Sequence, residues 1–220
     1  MRRNCGRRAR PLKLDVRHGI PGPVDAVYVL DRPKHRWALW GDYGNILLHG
    51  MTRHLPRCDG ELQLERTGPF IPAISFPGIA DIVLTDRIRI GLSERLPVLT
   101  FKPIRKTRIV RLNWETWPDE LAAPPILPES GEPEDYILGA ANDLAVAAAL
   151  GDLWELVPIV NPKIQANGGK FALSEYRGEH LIRASASAGY NFISADLASH
   201  LRALAPQDIN LREAISDFDA

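Results

Sequence analysis

Cysteine is nearly missing from this sequence. Cys5 and Cys58 are the only two in 220 residues, too few for a disulfide scaffold. Long apolar runs are missing too, and none reaches the roughly 18 residues that a spanning helix needs, so no membrane contact is expected. The opening Met1-Arg2-Arg3-Asn4-Cys5-Gly6-Arg7-Arg8 is charged, yet no apolar stretch of the signal-peptide kind follows it. That argues against secretion and for the cytoplasm. Most catalytic signatures are absent. No glycine-rich segment has phosphate-binding spacing, and Asn167-Gly168-Gly169-Lys170 reads as a turn. There is no Gly-x-Ser-x-Gly elbow, no Cys-x-x-Cys pair and no His-Glu-x-x-His. The expectation is a protein that is not an enzyme and needs no cofactor.

What is present is ordinary globular material. Apolar residues make up 45% and charged residues 25%, which excludes disorder as the main state. The length fits one large domain or two small ones, at about 150 residues each. The net charge is zero but divided. Residues 1–110 hold 20 Lys and Arg against 10 Asp and Glu, and residues 111–220 hold 7 against 17. No base occurs between Arg111 and Lys163. Such asymmetry bears on partners and association rates rather than on fold. Two readings stand: the halves neutralise each other internally, or an acidic face meets a basic partner.

Residues 1–20 read as a basic tail. Residues 21–112 read as an N-terminal α+β module, with strands expected at Asp25–Leu30, at Arg36–Trp40 and around Leu62 and Leu64. Gly41-Asp42-Tyr43-Gly44 reads as a turn. Thr67–Gly78, with three prolines and two glycines, reads as an ordered loop packed through Phe70, Ile71 and Phe76. Ile82-Val83-Leu84 is a strand, Thr85 an N-cap, and Ile88 and Leu92 one face of a short helix that Leu96-Pro97 ends. Strands follow at Val98–Phe101 and Arg108–Leu112. Residues 113–135 form an acidic, Trp- and Pro-rich connection that its prolines keep from becoming a helix. Residues 136–220 are a C-terminal α+β module, with a helix over Asn142–Leu150 and a strand at Leu153–Val157. There Tyr190–Ile193, the cap Ser194, the stripe Leu197, Leu201 and Leu204, the stop Ala205-Pro206 and the strand Ile209–Leu211 repeat the earlier unit. Thr85 matches Ser194, Ile88 matches Leu197, Leu92 matches Leu201 and Pro97 matches Pro206. The fold class expected is α+β, with small mixed or antiparallel sheets, short helices and two similar strand-helix-strand modules.

The chemistry-bearing candidates are sparse. His49, His54 and Cys58 could be metal ligands or surface groups of a loop; Pro56 argues against a shared helical face. Cys58, His54 and Asp59 are the only local set resembling a nucleophile, a base and an orienting acid. Glu132, Glu134 and Asp135 could form an acid/base pair or hold magnesium, or they could be solvated carboxylates. Arg2, Arg3, Arg7, Arg8 and Arg10 could neutralise phosphates. No aromatic residue interleaves with them and the second half is acidic, so nucleic acid is not the expected partner. Trp154 reads as core. Trp114 and Trp117 lie where a strand gives way to the acidic connection and could be core or interface.

These modules resemble the small immunity proteins of bacterial polymorphic-toxin and contact-dependent killing systems. One group there ends its modules with an Ile-x-Val-Ser strand, a helix and an alternating apolar closing strand. Asn191-Phe192-Ile193-Ser194-Ala195-Asp196-Leu197 running to Ile209-Asn210-Leu211 resembles that pattern. Ile82-Val83-Leu84-Thr85-Asp86 running to Leu99-Thr100-Phe101 looks like a second copy, similar to the duplicated module of the myxobacterial swarm-inhibition immunity proteins. The Cys-x-x-Cys-Gly pairs of that subgroup are absent here. The resemblance implies a cytoplasmic protein that neutralises a cognate toxin by direct contact, protecting the producer cell. The residues expected to meet a basic toxin surface are Trp114, Trp117, Glu129, Glu132, Glu134 and Asp135. The alternatives are an uncharacterised enzyme and a nucleic-acid-associated protein using the basic N-terminus.

Overall fold

The structure, a computed structural model, describes residues 26–52, 54–162, 166–167, 170–171, 176–183 and 189–214. The expected basic tail and the Gly168-Gly169 turn lie outside them. The chain runs through β1 (Val27–Asp31), α1 (Asp42–His49), β2 (Gln63–Gly68), β3 (Ile74–Ser75), β4 (Val83–Thr85), α2 (Asp86–Arg95), β5 (Thr100–Pro103) and β6 (Arg105–Arg111). It continues through α3 (Asp135–Leu138), α4 (Leu144–Ala149), β7 (Leu153–Val157), β8 (Ile159–Val160), β9 (Ala166–Asn167), β10 (Lys170–Phe171), β11 (Leu181–Arg183), β12 (Asn191–Ser194), α5 (Ala195–Leu204) and β13 (Asn210–Glu213). The fold is α+β, with short helices on small sheets.

The two strand-helix-strand units are present and share one core. Ile88 and Leu92 of α2 pack with Leu197, Ala198 and Leu201 of α5, as the 3.6-residue period of each stripe requires. Each large buried aliphatic side chain stabilises the fold by about 1.5–3 kcal/mol before entropy is counted. Gly91 lets the helices approach: a Cβ there would meet Leu204 at 3.1 Å. Asp208, just before β13, accepts from the Ala73 and Ile74 amides at 2.7 and 3.3 Å, tying the second unit to the first.

The sheets carry the duplication further. One sheet has the order β3-β4-β7-β5. The other has β11-β12-β1-β13, with β8 added beyond β11. Their registers correspond. Thr85 faces Leu153 and Leu84 faces Trp154; in the second sheet Ser194 faces Val27 and Ile193 faces Tyr28. Thr100 faces Val157, as Asn210 faces Asp31. The middle strand of each sheet comes from the other half of the sequence. β1 enters the C-terminal sheet and β7 the N-terminal one, and both show the same burial order along five residues. The division into modules 21–112 and 136–220 therefore does not divide the sheets. Antiparallel pairing leaves a middle strand no local clue to its partner, and two equivalent slots allow the exchange.

A third unit is built on the parallel pair β2–β6. Its core is aromatic, with Trp37, Trp40, Trp114 and Tyr136 around Leu47, Met51 and Ile137. Here two expectations are corrected. Arg36–Trp40 is a 3-10 turn rather than a strand. Trp37 and Trp40 are three apart, so both fall on one buried side while Leu39 is exposed. Asp42-Tyr43-Gly44 opens α1 rather than forming a turn; the reversal is confined to Gly41, at φ +56°.

Candidate functional site

The acidic connection is irregular in backbone but held at intervals by aromatic donors. The Trp40 indole N–H donates to Leu121 O at 3.0 Å, the Tyr136 hydroxyl to Ile126 O, and the Tyr43 hydroxyl to Gly131 O at 2.5 Å. Arg36 donates to Glu115 O at 2.8 Å and stands 3.7 Å from Asp119. An aromatic face thus carries the strip, and its prolines limit the freedom left between the clamps. Glu129 and Glu132 are exposed, and Glu134 and Asp135 are half-buried at the start of α3. The arginines of β6 do not neutralise this strip. Arg105 faces Asp59 and Glu61 at 3.6 and 3.5 Å, and Arg108 faces Glu65 at 3.7 Å.

The tryptophans part company. Trp114 is 0% exposed, its ring 4.5 Å from Trp37 and its N–H on the Thr67 hydroxyl at 2.8 Å. Its place among the interface residues is therefore corrected: the chain's own core consumes both its surface and its donor. Trp117 is half-buried, tilted against Trp40 and Tyr136 with ring centres 6.1 Å away in each case.

Glu132 and Glu134 line a cleft of about 730 Å³ between the strip, α1 and the loop 76–82. Asp31 and Asp42 join them, so among the described residues the lining holds four carboxylates and one guanidinium, Arg32. Asp31 also pairs with Arg212 at 3.4 Å, so the acidic excess of the cleft rests mainly on Asp42, Glu132 and Glu134, and a cleft with such an excess draws cations toward it. Asp31 and Asp42 precede Glu132 by 101 and 90 residues, and composition alone gives no sign that they meet it.

The opposite wall is loop 76–82. Arg32 donates to Gly78 O, and Arg183 and Asn191 both donate to Ala80 O, Asn191 at 2.8 Å. The Thr52 hydroxyl donates to Asp81 at 2.7 Å. Arg57 lies 3.9 Å from Asp81 and grips Glu155 of β7 through both nitrogens, at 2.8 and 2.7 Å. That pairing with Glu155 holds the Arg57 pKa up, while burial brings that of Arg183 down.

The remaining candidates are dispersed. His49 is buried, and its Nδ1 accepts from the Phe76 amide at 3.3 Å. Burial, with Arg32, His35 and Arg66 nearby, pushes its pKa down to about 2. His54 faces Glu65 at 3.8 Å, and Cys58 Sγ receives Arg105 at 3.1 Å. Among the described residues no three His, Cys, Asp or Glu side chains gather as a metal site would require. Nor is any helix among them long and apolar enough to cross a membrane. Compared with protein-family models, with curated proteins and with solved structures, the chain matches none.

Proposed function

We propose that this chain is an immunity protein of the cytoplasm, which binds a toxin domain of basic surface and neutralises it by contact rather than by catalysis. The observation that carries the reading is the acidic strip. Between Trp114 and Asp135 it holds seven acids and no base, and aromatic donors fix its backbone before any partner arrives. A preorganised strip loses little entropy on docking, and its charge speeds encounter with a basic surface. Blocking of this kind needs no nucleophile, metal or cofactor.

The test uses the toxin domain of a secreted protein encoded beside this gene, in stopped-flow mixing at two salt concentrations. Changing Glu129, Glu132 and Glu134 to Gln and Asp135 to Asn is expected to slow association and to flatten its salt dependence, with the melting temperature kept. An unchanged association rate, or a wild-type chain that leaves toxin-exposed cells unprotected, would overturn the reading.

A further inference from the structure

Ile79 is 75% exposed at the apex of loop 76–82. Exposure alone marks nothing, since single apolar side chains are common on surfaces, and Leu144 on α4 is 76% exposed. What separates Ile79 is how its backbone is held. The carbonyls on either side, Gly78 O and Ala80 O, are gripped by Arg32 from beyond β1, Arg183 from β11 and Asn191 from β12. Asp81, next along, is gripped by Thr52 and faced by Arg57. Gly189 lies beside Ile79, where a Cβ would stand 3.5 Å from it, and its neighbour Tyr190 is also exposed. A loop of seven residues thus draws side chains from several distant segments and offers a fixed apolar side chain in the same cleft lining as Asp42 and Glu132.

We infer that Ile79 is the anchor of a docking surface whose occupant is a polypeptide segment that interleaves apolar side chains with Lys or Arg. The apolar side chains pack on Ile79, with Tyr190 beside it, and the bases fall on Asp42 and Glu132 of the same cleft. A peg already held in place binds without the ordering cost that weakens flexible contacts, and burial at the centre of an interface is where truncation costs most. The partner's identity as a toxin rests on the immunity reading; the surface itself does not.

The experiment therefore uses a probe independent of any toxin. A labelled peptide of alternating lysine and leucine is titrated into the full chain by fluorescence anisotropy, beside lysine–serine and glutamate–leucine peptides. The lysine–leucine peptide is expected to bind best. Ile79→Ser should weaken it about tenfold or more, Asp42→Asn with Glu132→Gln should weaken it and blunt its salt dependence, and Leu144→Ser should leave it unchanged. Equal binding of the three peptides, or equal effects of Ile79→Ser and Leu144→Ser, would overturn the assignment. So would sedimentation showing that the chain dimerises and that Ile79→Ser abolishes the dimer, since the occupant would then be a second copy. Should the peptide results hold while no toxin is neutralised, the functional reading fails and the surface stands.

Discussion

At the residue scale, several buried side chains carry polar atoms into the interior. Arg66 is fully buried, pairs with no carboxylate among the described residues, and donates to the carbonyls of Leu48, Thr67 and Phe70; burial brings its pKa down to about 9. His49 offers the sharper test. Its folded pKa, about 2, lies below the ordinary 6.5. Below pH 6.5 the unfolded chain takes up a proton that folded His49 refuses, so stability falls as pH falls. The slope is on the order of 1 kcal/mol per pH unit while this group dominates. Thermal melts between pH 7 and 4 are expected to show that decline, and His49→Gln to flatten it. The carboxyl of Asp208, pushed up by burial, works in the opposite sense as pH falls toward the ordinary carboxylate range and offsets part of the decline there. Trp114→Ala is expected to cost about 3–5 kcal/mol in denaturant unfolding, and Trp117→Ala clearly less. Acid density in the sequence singles out Glu132 and Glu134, both of which the structure places in the lining of the cleft. It was blind to Ile79, because what distinguishes that residue is donors arriving from Arg32, Arg183 and Asn191.

At the element scale, the duplicated unit could be read directly from the chain. Helical stripes, caps and stopping prolines are local signals, and Thr85–Leu96 and Ser194–Ala205 carry them in the same order. The two caps are not chemically alike, however. Ser194 accepts from the Leu197 amide at 3.2 Å, whereas the Thr85 hydroxyl turns to Ala73 O at 3.5 Å. Ser194→Ala is therefore expected to cost about 1 kcal/mol, as N-cap losses do, and Thr85→Ala a smaller amount; chemical denaturation of both variants checks this. The region around Trp37 was misread because a pattern of alternation and a pattern of threes coincide over five residues. Only burial on a ready-made aromatic face chooses between them.

At the scale of the whole molecule, the exchange of β1 and β7 makes the two sheets one cooperative body. Proline at Val29, in the buried middle of the C-terminal sheet, removes a ladder hydrogen bond and costs about 3 kcal/mol or more. Hydrogen exchange is expected to show both sheets losing protection together, although Val29 touches only one of them. Two separate unfolding transitions would contradict this. Sequence reading missed the exchange for a definite reason: each middle strand fits either slot in size and burial, and the choice is made by connections elsewhere.

The same interlocking has a consequence for synthesis on the ribosome. When β4, α2 and β5 have emerged, the strand that belongs between them is still about fifty residues from emerging, several seconds away at ordinary elongation rates. β1, earlier in the chain than β4, waits longer still, until its neighbours β12 and β13 appear. The N-terminal sheet stays open until β7 emerges, and the C-terminal sheet until β12 and β13 do. Arrested chains that stop before Leu153 should remain open to protease over residues 83–103, and become resistant only after Val157 has cleared the exit tunnel. Birth order and fold order run crosswise in this protein, which makes the interval before β7 emerges the one in which it most needs a chaperone.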